Sequence, residues 1–224
     1  MNHELLKTCE ELRRIGADGA VLGSIENVTY VTNVEQPVPV GALAATTVAP
    51  WLAIVSAKDE RGIVVAPEGV APGLREHAPG FEVIGFPTFD SFVATDPRAR
   101  YAEGLTQALT ELGLDSTTAT VAVESEAVPL LAGPLIAGKQ IEAAEALRRA
   151  RWIKTEREIG LLRTASQLAD IVHTTLDQLC EQAGKNEIAM WCEIANQIFM
   201  EAGREIPLSG ELVTGPRSTV VLYP

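Results

Sequence analysis

Apolar residues recur along this chain with two different periods, and the change of period organises it. Between Glu4 and Ile15 they fall at Leu5, Leu6, Cys9 and Leu12, the spacing of a helix with one apolar face, which Gly16 stops. Gly19–Leu22 is a strand-sized run with no polar residue. Trp51–Ala57 and Gly62–Ala66 are apolar and β-branched and flank Lys58-Asp59-Glu60-Arg61, a hairpin pattern with a polar turn. Phe81–Phe86 and Thr120–Val123 read as further strands, and Gln140 with Ile141 as a last one. Ala102–Leu112 carries Leu105, Leu109 and Leu112 at helical spacing and ends at Gly113. Val128–Ala137 reads as a short helix with Pro129 in its first turn. Pro37 and Pro39 mark one loop, and Pro87–Pro97 another.

Strands that alternate with helices, one pair of them a hairpin, predict an α/β (α+β) unit: a mixed sheet flanked by helices over residues 1–145. Residues 146–224 read differently. A basic run, Arg148, Arg149, Arg151 and Lys154, leads to Thr155-x-x-Glu158, a capping box. Ile159, Leu162, Ala169, Val172, Leu176 and Leu179 then share a helical face, and Gly184 breaks it. Ile188, Trp191, Ala195, Ile198 and Phe199 form a second face, ended by Gly203. The break between the units is expected between about Gly138 and Thr155. Two helices and one short terminal strand offer few places to hide Ile159, Leu162, Val172, Leu176, Leu179, Trp191, Ile198 and Phe199. The expectation is an exposed apolar patch that another polypeptide, or a second copy, covers.

Two amphipathic helices alone make a generic hairpin, but the order of parts here is more specific. Arg148-x-x-Arg151-x-Ile153-Lys154-Thr155-x-x-Glu158-Ile159-x-x-Leu162-Arg163, then Ala165-x-x-x-Ala169-Asp170, a Gly break, Glu187-Ile188 and Ala202-Gly203 follow one another. This series resembles the entry into the catalytic domain of the creatinase, prolidase and aminopeptidase P family, the pita-bread hydrolases. The match covers roughly Leu147–Gly215. A second stretch, Asn27-Val28-x-Tyr30-Val31-Thr32 after a helix and a strand, resembles the "Asn-Ile-x-Tyr-Leu-Thr-Gly" segment in the same family's N-terminal domain, with Asn33 where the family has Gly. The resemblance implies that residues 1–145 are the N-terminal domain and 146–224 the beginning of the pita-bread domain.

Composition narrows the partners. The 224 residues are 46% hydrophobic, enough for a sizeable core, with a formal net charge of -12. A nucleic-acid surface needs clustered Lys and Arg, and the one small basic run sits at a helix entry, so no nucleic-acid partner is expected. The start Met1-Asn2-His3-Glu4 lacks the basic and apolar regions of a signal peptide. The longest apolar run, around Trp51–Ser56, falls far short of the ~20 residues of a membrane helix. Cys9, Cys180 and Cys192 give neither a disulfide framework nor a metal pair, which reads as buried free thiols in a cytoplasmic setting.

Candidate chemistry is sparse. No phosphate loop, dinucleotide fingerprint or nucleophile elbow occurs. Asn27-Val28-Thr29 fits a glycosylation acceptor in an internal segment. His3, His77 and His173 stand apart and read as structural or solvated, and Trp51, Trp152 and Trp191 read as core. The resembled family implies a divalent metal pair (Mn, Co or Zn) held by two Asp, one His and two Glu, which activates a water. In family order the first ligand follows the segment Gly215–Thr219, and none of the five positions is present here, so neither catalytic nor metal residues are assigned and the chain alone is expected to be inactive. The family's peptidases carry "Gly-x-Asn-x-x-x-x-His" at that segment. Here Arg217 replaces the Asn and Leu222 the His, which removes a residue that both the peptidases and the metal-free creatinase use.

Two substrate-facing candidates remain. Arg217 is either a clamp for a carboxylate or a surface residue paired with Glu211 or Glu205, and Tyr223 offers a phenol. The implied function is the N-terminal portion or subunit of a hydrolase acting on a C–N bond, amide or peptide. The expected partner is a second chain carrying the rest of the catalytic domain, or a further copy of this one. The alternatives are a non-catalytic dimerisation or regulatory module and, more weakly, a binder of a small acidic or amide ligand at Arg217.

Overall fold

Alternation along the strands decides which side chains meet. The computed structural model describes residues 1–36, 50–88, 96–182, 184–208, 210, 212–215 and 219. The chain divides into two compact units, Met1–Ile153 and Lys154–Pro224. In the first, α1 (His3–Arg14), β1 (Gly19–Leu22) and α2 (Ile25–Thr32) are followed by β2 (Leu52–Ser56) and β3 (Arg61–Pro67). Then come α3 (Ala71–His77), β4 (Phe81–Phe86), α4 (Pro97–Glu111), β5 (Thr120–Val123), a 3₁₀ turn (Leu130–Leu135), β6 (Lys139–Glu142) and α5 (Ala144–Ala150).

The strands form one sheet in the order β4-β3-β2-β1-β5-β6. β2 is antiparallel to β3, as the hairpin pattern implied, and also to β1, and the outer pairs are parallel. β1 and β2 are buried along their whole length, which is why they read as unbroken apolar runs. Successive residues point to opposite faces. Ala53, Val55, Val64 and Ala66 pack under α1, α2 and α5 with Leu5, Cys9, Leu12, Val28, Val31 and Leu147. Leu52, Ile54, Ile63 and Val65 pack on the other face with Tyr101, Leu105 and Leu109 of α4. Gly19 is required where it stands, because a Cβ there would lie 2.4 Å from the Val55 carbonyl oxygen.

Several elements differ from the sequence reading. α4 begins at Pro97, not Ala102, because the Asp96 side chain accepts from the Arg98 and Ala99 N–H groups and Pro97 occupies the first turn. The helix expected over Val128–Ala137 is only the 3₁₀ turn Leu130–Leu135, with Pro129 before it and Pro134 inside, where no N–H is available to continue a ladder. α3 went unread because Pro72 and Gly73 lie within it. β6 extends one residue beyond Gln140 and Ile141 at each end. α5, which carries the basic residues Arg148 and Arg149, packs Ala146 and Leu147 into the core of the first unit. The loop read at Pro37 and Pro39 lies outside the described residues, as does most of the one read at Pro87–Pro97.

The second unit consists of α6 (Glu156–Cys180) and α7 (Glu187–Ala202). Both halves of the capping box form: Thr155 Oγ1 accepts from the Glu158 N–H at 3.1 Å, and the Glu158 carboxylate accepts from the Thr155 N–H at 2.9 Å. Gly203 ends α7 in the left-handed region at φ 68°. Leu179, Met190, Ile194 and Ile198 are buried, with Val172, Leu176 and Leu212 among the residues packed around them. Leu161, Leu162, Ile188 and Met200 are more than half exposed. Of the terminal strand read after Thr214, only Gly215 and Thr219 are described.

Candidate functional site

The Asn27–Asn33 stretch was the most motif-like part of the first unit, and its geometry gives each polar residue a holding task. The Glu124 carboxylate, at the end of β5, accepts from the Gly23 and Ser24 N–H groups at 2.9 and 3.0 Å and from Asn27 Nδ2 at 2.5 Å. Ser24 caps α2, accepting from the Asn27 N–H at 3.1 Å. Asn27 is buried, so its Asn-Val-Thr sequence offers no accessible glycosylation acceptor. Tyr30 donates its hydroxyl to the Ala150 carbonyl at 2.9 Å, and Thr32 donates to Val28 at 2.7 Å. Asn33 stands at φ 62°, the left-handed helix end that suits Gly or Asn and few other residues. The departure from Gly therefore keeps the backbone geometry, and the Asn33 amide adds a bond to Glu4 at 3.2 Å.

Sequence reasoning missed Glu124, whose partners lie about a hundred residues earlier in the chain, and Glu142. The Glu142 carboxyl accepts from the Ser125 hydroxyl and from the Ala143 and Ala144 N–H groups at the start of α5. These bonds, Ser125 first, hold it below the usual carboxylate range. Both carboxylates sit at strand ends and are consumed by backbone and side-chain donors.

Of the tryptophans, Trp51 is core as expected and Trp191 is half-buried. Trp152 is not core: it is 64% exposed, because α5 has ended and the Arg148 guanidinium stacks over its ring at 4.7 Å. Neighbouring groups grip the same corner. Arg151 lies 4.9 Å over the Tyr30 ring and donates to the Glu26 carbonyl, and Lys7 donates to the Ile153 carbonyl. Arg148 and Arg149 both pair with Glu145, whose carboxyl they hold low.

In the second unit a groove of about 370 Å³ runs between α6 and α7. Asp170, Thr174, Gln178, Glu193 and Gln197 line it, with Leu179 among the apolar residues, and Glu193 is already paired with Lys185 at 2.5 Å. It offers hydrogen-bond donors and acceptors, with no thiol or imidazole lining it. His3, His77 and His173 are exposed, on α1, α3 and α6. Of the cysteines, Cys9 is buried, but Cys180 and Cys192 are exposed, contrary to the expectation of three buried thiols, since both lie on the outer sides of α6 and α7. Among the described residues no three His, Cys, Asp or Glu side chains come together to hold a metal ion. The donor set described does not fit the metal pair that the resemblance implies, and no step is derived through it. Arg217 and Tyr223, the substrate-facing candidates, lie outside the described residues, as do Glu211 and Leu222; Glu205 is exposed. No helix among the described residues is long and apolar enough to cross a membrane.

The family model described as Creatinase/Prolidase N-terminal domain matches residues 5–165. Solved structures resemble the chain across both units. A prolidase from Thermococcus sibiricus aligns with a TM-score of 0.63 and 19% identity, over 88% of this chain and 49% of that one. The Xaa-Pro dipeptidase of Bacillus anthracis gives 0.62 and 17%, over 88% and 48%. The dipeptidase PepE of Mycobacterium ulcerans gives 0.61 and 20%, over 88% and 48%. The chain thus spans about half the length of these structures. No protein with a curated description matches it in sequence.

Proposed function

The chain belongs to the creatinase/prolidase N-terminal domain family, and from that premise we propose that it works as the N-terminal portion or subunit of an Xaa-Pro-peptidase-like hydrolase acting on a C–N bond. The observation that carries this reading is the likeness over 88% of the chain, through both units, to about half of an Xaa-Pro dipeptidase. In this reading the first unit is a framework, and α6 and α7 are the outer helices of a sheet that further polypeptide supplies. The exposed Leu161, Leu162, Ile188 and Met200 support it, since each is a large apolar side chain left open to solvent that a covering polypeptide would bury. A divalent pair of Mn, Co or Zn would belong to the supplied part, and Arg217 and Tyr223 would line the substrate pocket. The free Cys9, Cys180 and Cys192 suit a reducing cytoplasm.

The test is purification of the native protein from its source, with intact-mass measurement and an Xaa-Pro dipeptide assay in added manganese. The expected result is that turnover travels with a complex containing a polypeptide besides this chain, and that the chain by itself is inactive. Turnover by the chain alone would overturn the reading. The second reading, a non-catalytic dimerisation or regulatory module, draws support from the first unit, whose sheet is packed on both faces without help. A native protein made of this chain alone, inactive and stable, would favour it.

A further inference from the structure

The sheet of the first unit ends at β4, and among the described residues no strand lies beyond it. β4 reads Phe81-Glu82-Val83-Ile84-Gly85-Phe86, an apolar strand with one charge, the composition that invites pairing at a free edge. Natural edges are commonly blunted by lysines, prolines or bulges. Here Glu82 is the only charged residue, and Arg61 binds it at 3.0 Å.

The direction of each backbone group follows from the pairing with β3. The Gly62 N–H donates to Gly80 at 3.0 Å and the Glu68 N–H to Phe86 at 2.9 Å, so the even-numbered residues of β4 face β3 in this parallel ladder. The odd-numbered residues Phe81, Val83 and Gly85 face outward. The Phe81 N–H is already used, donating to Ala78 at 3.2 Å. What remains outward is the Phe81 carbonyl, both groups of Val83 and both groups of Gly85.

We infer that this edge pairs with the same edge of a second copy of the chain, antiparallel and two-fold about Val83 or its neighbour Ile84. A two-fold axis perpendicular to the sheet sets residues whose numbers sum to an even value opposite each other. It therefore pairs outward residues with outward residues. Centred on Val83, it sets Val83 against Val83 of the second copy, each donating to the other's carbonyl. It also sets Gly85 against Phe81 of the second copy, with the Gly85 N–H donating to the Phe81 carbonyl. Each remaining outward group but the Gly85 carbonyl is satisfied, and the Phe81 N–H, already occupied, is not needed. Centring on Phe81 or Gly85 brings Pro79 or Pro87 opposite Val83 and forfeits a donor, since proline has no N–H, and centring on Glu82 opposes two carboxylates. Centring on Ile84 makes as many bonds as centring on Val83, pairing Val83 with Gly85 of the second copy and leaving the Phe81 carbonyl instead. In the Val83 register Glu82 faces Ile84 of the second copy, so no two carboxylates stand directly opposed, and Phe81 faces a glycine instead of another bulky side chain. The result is a continuous sheet running through two copies, an interaction separate from any covering of α6 and α7 and independent of the hydrolase reading.

The test is sedimentation of the full chain over a wide concentration range, with residue-resolved hydrogen exchange at both ends of it. The expected result is a reversible dimer in which the Val83 and Gly85 amides become protected as the dimer forms. Val83→Pro removes the outward donor while leaving the groups that face β3, and proline is tolerated on the open side of an edge strand. This variant should lose the dimer and keep the far-ultraviolet circular dichroism of the wild type. A wild-type chain that stays monomeric throughout would overturn the inference. So would a dimer in which exchange at Val83 and Gly85 does not slow, an outcome that points to the α6 and α7 face and leaves the hydrolase reading standing. If Val83→Pro does not fold, the wild-type exchange measurement still decides.

Discussion

At the scale of single residues, burial decides reactivity and the pH response. Cys9 is fully buried under the sheet, with its Sγ 3.7 Å from the Ser56 carbonyl. Burial pushes its thiol from 9.0 up to about 12, against a smaller opposing pull from Arg13. At neutral pH a thiol reagent should therefore titrate two cysteines in the native protein, Cys180 and Cys192, and all three once it is unfolded. The sign of the pH effect follows from the same shift. Between about 9 and about 12 the unfolded chain has lost the Cys9 proton and the folded chain has kept it, so stability falls as pH rises through that window. Urea midpoints should decline there more steeply in the wild type than in Cys9→Ala. Tyr101 presents a different cost. Its ring meets Phe86 edge-on at 5.3 Å, but its buried hydroxyl has no hydrogen-bond partner among the described residues. An unmade buried hydrogen bond costs about 1–3 kcal/mol, so Tyr101→Phe should raise the urea midpoint, by up to about 1 kcal/mol of stability after packing changes. A clear destabilisation would mean that the hydroxyl is satisfied.

At the scale of elements, caps and prolines set the ends. Thr155 and Glu158 make both bonds of the capping box, and α6 is the longest helix among the described elements. Thr155→Ala should cost the second unit about 1 kcal/mol. The loss should appear as faster amide exchange in the first turn of α6, with exchange in β1 and β2 unchanged. Uniformly faster exchange would mean that the units unfold together. The capping box and Gly203 were legible in advance because such signals act within about four residues along the chain. The extent of α4 and the reduction of Val128–Ala137 to a 3₁₀ turn were misread. There prolines serve in one case as a first-turn residue and in the other as an interruption.

At the scale of the whole molecule, the division falls at Ile153–Lys154. β6 and α5 are packed into the first unit, and Arg151 is engaged with Tyr30 and Glu26, so trypsin should cut first after exposed Lys154. Early cutting after Lys139 or within α6 would contradict the division. Much of this architecture was legible in the residues. The apolar runs of Gly19–Leu22, Trp51–Ala57 and Gly62–Ala66 announce strands, since a strand buried on both faces has no room for polar side chains. The resemblance at Asn27–Thr32 and around Thr155 pointed to the family that the comparison bears out. Other features depended on partners far apart in sequence. Glu124 reads as an ordinary surface acid until the fold brings it to Gly23, and Trp152 reads as core until α5 ends with its ring outside. The lateral order β4-β3-β2-β1-β5-β6, and with it the place of β4 at an edge among the described residues, is likewise written in no local segment. Periodicity and capping are local properties of the chain, so the sequence by itself determined the strands of the sheet and the two long helices of the second unit, while the short α3, with Pro72 and Gly73 inside it, escaped them. Exposure and lateral pairing are sums over contacts between distant segments, and only the tertiary structure decided them.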